Sequence, residues 1–293
     1  MAKNPVRPRV MSDTFLRDAK SAQAVRDKLR FLLEYGVLAQ AGHPWVVNVG
    51  DDALDLCIAH RCDRATHDRF HRDAILGCGI GLAQLRLALR QLGCIDSTIP
   101  LPDETRPDLL ARLYIDHVEE NADPESFVLY QALTTPVSKV PEPINAAFQQ
   151  ELMAHAQNER AILSFTAPDS LPPSDLAVAC GAPTLASVVG KLAWMDAGAH
   201  SGEAVGVVGA IIATRGDAVS DWLAAGQALA RVALRARVEG YFARVERVAR
   251  GTRLSSGTYG QVVLRIGVPR SAVTGGEVRG SAPPPGRGPL FGK

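Results

Sequence analysis

The chain carries almost no net charge: 32 lysines and arginines face 31 aspartates and glutamates, leaving +1. Nothing global therefore recruits nucleic acid or an acidic membrane surface, and local charges read as solvated faces. No apolar run reaches the roughly 20 residues that a membrane helix needs. The first ten residues, MAKNPVRPRV, lack the apolar stretch and small-residue cleavage site of a secretory signal, so a cytoplasmic protein is expected. The cysteines (Cys57, Cys62, Cys78, Cys94 and Cys180) are odd in number and include no CxxC pair. That argues against a disulfide framework and predicts that most are buried free thiols. A GxSxG elbow is also missing, and no cysteine sits in a recognisable catalytic signature, so nothing supports nucleophilic catalysis.

What is present is a globular composition, 46% hydrophobic and 22% charged over 293 residues, enough for one large domain or two ordinary ones. Within it one stretch occurs twice. Residues 78–93, CGIGLAQLRLALRQLG, align with residues 225–240, AGQALARVALRARVEG. Gly79 falls on Gly226, Leu82 on Leu229, Ala83 on Ala230, Leu87 on Leu234, Arg90 on Arg237 and Gly93 on Gly240. The offset of 147 residues (79 to 226) is half the chain and favours two similar halves. The small residues Gly79, Gly81 and Ala83, with Gly226, Ala228 and Ala230, leave room for these helices to pack closely on each other or on a bound ring.

The first half opens with a helix over 21–40, where Val25, Leu29, Leu32 and Leu33 share a stripe and Ser21 is the N-cap. WVVNV (45–49) and LDLCIAH (54–60) read as strands joined by a GDD turn, and the repeated helix follows over 73–92. STIPLPDETRPD (97–108) reads as a loop and LLARLYID (109–116) as a strand, though its length leaves helix open. Four prolines in 121–143 mark the boundary between halves. The second half starts with a helix on Ile144, Phe148, Leu152 and His155 or Ala156. After it come a strand at AILSFTA (161–167), a small-residue helix around 184–196 and a buried central strand at AVGVVGAIIAT (204–214). The second copy of the helix, capped by Ser220 or Asp217, and a last strand at QVVLRIGV (261–268) complete it. The organisation is α+β and internally duplicated: an extension (1–20), two halves (21–125 and 126–270) and a Gly/Pro/Arg-rich tail (271–293).

Four constellations bear on chemistry. Cys57, His60, Cys62, His67 and His71 offer metal-ligand types within fifteen residues, and His67 and His71 would share a helix face. Cys57 and His60, however, project to opposite faces of a strand, and no structural zinc spacing is present, so no metal is assigned. CGIGLAQLR lacks the preceding strand and the later acidic residue of a dinucleotide fingerprint, which leaves close helix packing to explain its glycines. LSSGTYG (254–260) precedes a strand rather than a helix and reads as a turn, not a phosphate cradle. Finally, LAQAGHPWVVNV (38–49) sets His43, Pro44 and Trp45 at a helix-to-strand corner, where a Trp and a His can meet a planar ligand or plug a core edge.

Taken in order, LAQAGHPWVV, LDLCIAHRCDR, RDAILGCGIGLAQLRLALRQLG, IIATRGDAVSDWLAAGQALARVALRARVEG and QVVLRIGV resemble the Acg-like branch of the nitroreductase family over most of residues 21–270. The resemblance implies a nitroreductase-like α+β fold, internally duplicated as a single-chain pseudo-dimer and monomeric through its fused halves. It further implies FMN held between the halves and hydride transfer from NAD(P)H to a small-molecule acceptor, with no nucleic acid or membrane partner. Cofactor contacts carry over only where residues match. His43, Pro44 and Trp45 stand in the loop that usually reads A-P-S-x-H-N-T-Q-P-W, with His43 where Gln is expected and the Asn missing. Ser138 and Lys139, in LTTPVSKV, stand where an arginine-rich segment clamps the flavin phosphate. Thr214, Asp217 and Trp222 stand where the family reads L-T-x-x-D-x-x-x-W-L, with Ala213 in place of the Leu and one extra residue between Asp217 and Trp222, and Arg270 and Arg279 are further cations for the phosphate. No catalytic residue is assigned. The activity implied is that of an FMN-dependent oxidoreductase. The alternatives are a catalytically degenerate flavin-binding, flavin-storing or flavin-free protein of the same fold, and a dehydrogenase acting on a natural-product intermediate.

Overall fold

The structure, a computed structural model, describes residues 27–30, 44–50, 53–59, 68–118, 123–134, 141–171, 204–248 and 251–269. Strand β1 (Trp45–Val49) alternates as its sequence demands, Trp45 and Val47 inward and Val46 and Asn48 outward. It pairs antiparallel with β2 (Ala53–Ile58), Trp45 opposite Ile58. Helix α1 (Asp68–Gln91) starts five residues before the expected 73. Strands β3 (Cys94–Pro100) and β4 (Leu109–Val118) complete an antiparallel sheet of order β1-β2-β4-β3. Helix α2 (Pro124–Thr134) and helix α3 (Ala146–Asn158) follow. Then come β5 (Ile162–Thr166), a short 3-10 turn at Pro168–Ser170, and β6 (Ala204–Thr214). Helix α4 (Val219–Val238), β7 (Phe242–Arg247) and β8 (Tyr259–Pro269) close a second antiparallel sheet of order β5-β6-β8-β7. The second sheet repeats the strand order of the first, and β6 is central in it, as its continuous apolar run predicts.

Three expectations need correction. The segment beginning STIP is not all loop, because β3 ends there. It pairs only with β4 at the edge of the sheet, where a terminal proline removes no needed hydrogen bond. The proline-rich stretch 121–143, expected to hold few periodic positions, also contains a helix: Pro124 occupies the first turn of α2, where its missing N–H costs nothing. Asp123 caps that helix by accepting from Ser126 N at 3.1 Å and Ser126 Oγ at 2.7 Å, and α2 runs across the 125/126 boundary. Lastly, neither Ser220 nor Asp217 is the N-cap of α4. Ala218 holds that position and Asp221 reaches back to its N–H at 3.1 Å, the half of a capping box that needs only an acid at the third helical residue. The helix expected around 184–196, and most of that over 21–40, lie outside the described residues; within 27–30 the chain is helical and Leu29 is fully buried.

Each long helix lies on its own sheet and against the other helix, giving four layers: sheet, helix, helix, sheet. The helices cross at the repeated glycines. A Cβ on Gly79 would stand 2.3 Å from Leu223 O, and one on Gly226 would stand 2.1 Å from Leu76 O. Leu76 and Leu223 are themselves 147 residues apart (76 to 223), so the two contacts are one contact exchanged, as across an isologous two-fold interface. The helices thus pack on each other here, not on a ring. One hydrophobic cluster runs from Leu29 and Trp45 through Leu82 and Leu229 to Leu264 and Ile266, uniting the layers. Among the described residues no helix is long and apolar enough to cross a membrane.

Gly226→Ala is expected to cost about 2–4 kcal/mol in a urea unfolding titration, the backbone clash outweighing the ~1 kcal/mol by which alanine is the better helix former. Gly260→Ala, whose nearest neighbour would be Val248 Cγ1 at 3.4 Å, is expected to stay within about 1 kcal/mol of the parent.

Candidate functional site

The turn from β6 into α4 gathers three of the residues that the sequence singles out. Thr214 Oγ1 donates to Gly216 O at 2.8 Å and accepts from Gln261 Nε2 at 2.8 Å. Asp217 Oδ1 accepts from Trp222 Nε1 at 2.6 Å and from Gln261 Nε2 at 3.2 Å, while its Oδ2 accepts from Gly251 N at 3.0 Å. Gln261, on β8, accepts in turn through Oε1 from Arg72 Nη2 at 2.6 Å and Nε at 3.2 Å. Arg72 comes from the start of α1 and also donates to the carbonyls of Val248 (2.8 Å), Gly260 (3.2 Å) and Gln261 (3.2 Å).

Arg72 is 2% exposed and Gln261 fully buried, so these bonds operate where water screens little. Burying a guanidinium costs several kcal/mol unless its donors are met, and carbonyls and an amide oxygen meet them here. The outcome is one polar chain, Arg72 to Gln261 to Thr214 and Asp217 to Trp222, that fixes the 214–218 turn. Asp221 completes the turn by accepting from Gly216 N and Ala218 N, which sets a carboxylate of the chain itself against the start of α4.

Pro44 and Trp45 lie elsewhere. The Trp45 ring packs over Gly81, where a Cβ would sit 2.7 Å from its Cε2, and Pro44 O accepts from Ala59 N at 2.7 Å. Gly81 is about 200° around α1 from Gly79, so α1 stands between Trp45 and α4. Trp45, 2% exposed, plugs the core of the first sheet and is not brought to the Thr214 turn. His43, Ser138, Lys139, Arg270 and Arg279 lie outside the described residues, as do His60, Cys62 and His67. Cys57, Cys78 and Cys94 are buried free thiols. Burial pushes the Cys57 thiol up, and burial with Asp96 alongside raises Cys94 to about 11, which leaves neither a ready thiolate. Among the described residues no group of three or more His, Cys, Asp or Glu is placed to hold a metal ion.

A second polar cluster joins α2, α3 and α4. Arg231 bridges Glu125 and Glu159, and Arg86 Nη1 donates to Glu159 Oε2 at 2.9 Å and Gln227 Oε1 at 3.1 Å. His155 Nδ1 stands 3.4 Å from Glu125 Oε1, with Glu151, Arg231 and Arg235 also acting on it. Burial holds the His155 imidazole below its ordinary value and keeps it neutral. The sequence reading missed Arg72, Gln261, Arg86 and Glu159. A cation two residues before the apolar run AILGCGIGLA and a glutamine opening the apolar strand VVLRIGV were the available signals, because a polar group on a buried face needs a partner. No protein-family model matches the sequence, and no curated protein matches it.

Gln261→Leu removes the side-chain oxygen that accepts two hydrogen bonds from Arg72 and a donor to Thr214 and Asp217, and is expected to cost about 3 kcal/mol in urea unfolding with a change in Trp222 fluorescence. The folded pKa of His155 lies below its unfolded value, so the unfolded chain binds more protons in the interval between them. Its contribution is complete above about pH 6.5 and declines as pH falls below that. In pH-dependent denaturation His155→Leu is expected to flatten this acid limb.

Proposed function

We propose that the chain is a nitroreductase-like oxidoreductase built as a single-chain pseudo-dimer, a cytoplasmic monomer that uses FMN to pass hydride from NAD(P)H to a small acceptor. The observation that carries this reading is the exchanged contact of Gly79 with Leu223 and Gly226 with Leu76, made by helices that belong to sheets of identical strand order. It is what a two-fold dimer interface looks like when both partners share one chain. The sequence resemblance supplies the cofactor, whose ring brings the hydride chemistry while the protein holds the phosphate and orients the ring.

Thr214, Asp217 and Trp222 do not fit the part of direct flavin ligands. Their polar side-chain atoms are engaged by Gly216, Gln261, Gly251 and one another, and the Asp217 carboxylate would repel a phosphate. Trp45 is likewise occupied by Gly81. The proposal therefore gives these residues the work of fixing the scaffold. It assigns the phosphate to Lys139, Arg270 and Arg279, with His43 and Ser138 as the remaining polar contacts. The same engagement favours a second reading, a catalytically degenerate flavin-storing or flavin-free protein of this fold.

The visible spectrum of the purified protein, with and without added FMN, tests both. A flavin spectrum bleached by NAD(P)H under anaerobic conditions and restored by an acceptor supports the oxidoreductase. A stable flavin spectrum that NAD(P)H leaves unchanged supports storage, and no uptake at all supports the flavin-free form. Replacing Lys139, Arg270 and Arg279 together by glutamine is expected to weaken FMN binding about a hundredfold or more, and unchanged affinity rules out this phosphate site.

A further inference from the structure

A two-fold relation between the halves gives the α1/α4 crossing two matching flanks, on which residues 147 positions apart (79 to 226) occupy equivalent places. On one flank Leu82 and Arg86 of α1, Asp96 and Thr98 of β3, and Ser220 and Gln227 of α4 line a cleft of about 390 Å³. The same offset names the matching six on the other: Leu229 and Ala233 of α4, Ala243 and Val245 of β7, and Asp73 and Ile80 of α1. Gly93 and Gly240 end the two long helices with the same positive φ, 77° and 85°, so the offset holds from the helices into β3 and β7.

The two flanks differ in chemistry and in burial. Arg86, Asp96, Thr98, Ser220 and Gln227 correspond to Ala233, Ala243, Val245, Asp73 and Ile80, so four of the five polar positions are apolar on the second flank. There Ile80, Leu229, Ala233 and Ala243 are buried members of the hydrophobic cluster that unites the layers, and Val245 packs against it. Asp73 is fully buried as well. Ser220, by contrast, is exposed, and Thr98 and Gln227 are half-buried. Protein core of this kind is close-packed, and parting it to admit a ring system uncovers apolar side chains at a cost that grows with their area. Small-molecule sites also need several polar groups to orient the ligand, and the second flank supplies Asp73 alone.

We infer that the pseudo-dimer is one-sided: the flank bounded by Asp73, Ile80, Leu229 and Val245 is core, and the chain takes up at most one flavin where a symmetric dimer holds two. The inference rests on the pseudo-dimer reading for its symmetry, and it stands whether or not FMN binds. Thiol labelling compares the flanks directly. In the full chain, Gln227→Cys is expected to react with N-ethylmaleimide about a hundredfold faster than Ile80→Cys, whose thiol waits on local opening, each rate corrected for the parent protein. Equal rates in folded variants overturn the inference. Equilibrium dialysis of the parent chain against saturating FMN tests it without any substitution, should Ile80→Cys fail to fold. Two equivalents per chain overturn the inference. One equivalent supports it together with the proposed cofactor, and none supports it while removing FMN from the proposed function.

Discussion

The contact on which the rest of the molecule depends is the backbone approach of α1 and α4 at Gly79 and Gly226. Without side chains at either position the helices close until a carbonyl of each faces the Cα of the other, and the two sheets are held at a fixed distance outside them. The polar links between the halves require that distance. Arg72 reaches β8 only because α1 lies against α4 at this depth, and Arg86 reaches both Glu159 and Gln227 for the same reason. Dispersion and burial set the separation, and hydrogen bonds of short reach then fix the orientation.

The turn at 214–218 is held from behind by buried side chains. Thr214, Asp217 and Trp222 are bonded inward, so the conformation of the turn is set by Gln261 and Arg72 behind it. A surface in front of such a turn is pre-organised because its side-chain valences are satisfied from the other direction. This is compatible with a cofactor protein, in which rigid support lies beneath the groups that touch the ligand.

Much of the fold was legible because its strongest signals are periodic. The matched helices, the alternating β1, the apolar β6 and the stripe of α3 all follow from residue spacing. What stayed hidden has weak or misleading local signals. CIDSTIP alternates poorly and ends in proline, yet β4 supplies enough hydrogen bonds for an edge strand. Pro124 looks like a linker residue until its place in the first turn of α2 is known. The cap of α4 is an alanine, which no capping preference would select, because Asp221 does the work from inside the helix. Of the candidate site, the sequence pattern named Thr214, Asp217 and Trp222 but not their partners. Arg72 and Gln261 lie 189 positions apart, and only the packed halves bring them together.

That separation matters while the chain is being made. Arg72 leaves the ribosome long before Gln261, and at about 5–20 residues per second the intervening 189 positions take roughly 10–40 s to synthesise. Throughout that interval the apolar face of α1 has no α4 to cover it, and the guanidinium beside it lacks its glutamine and β8 carbonyls. The emerging first half thus carries the kind of exposed apolar surface that makes incomplete chains prone to association until the second half arrives.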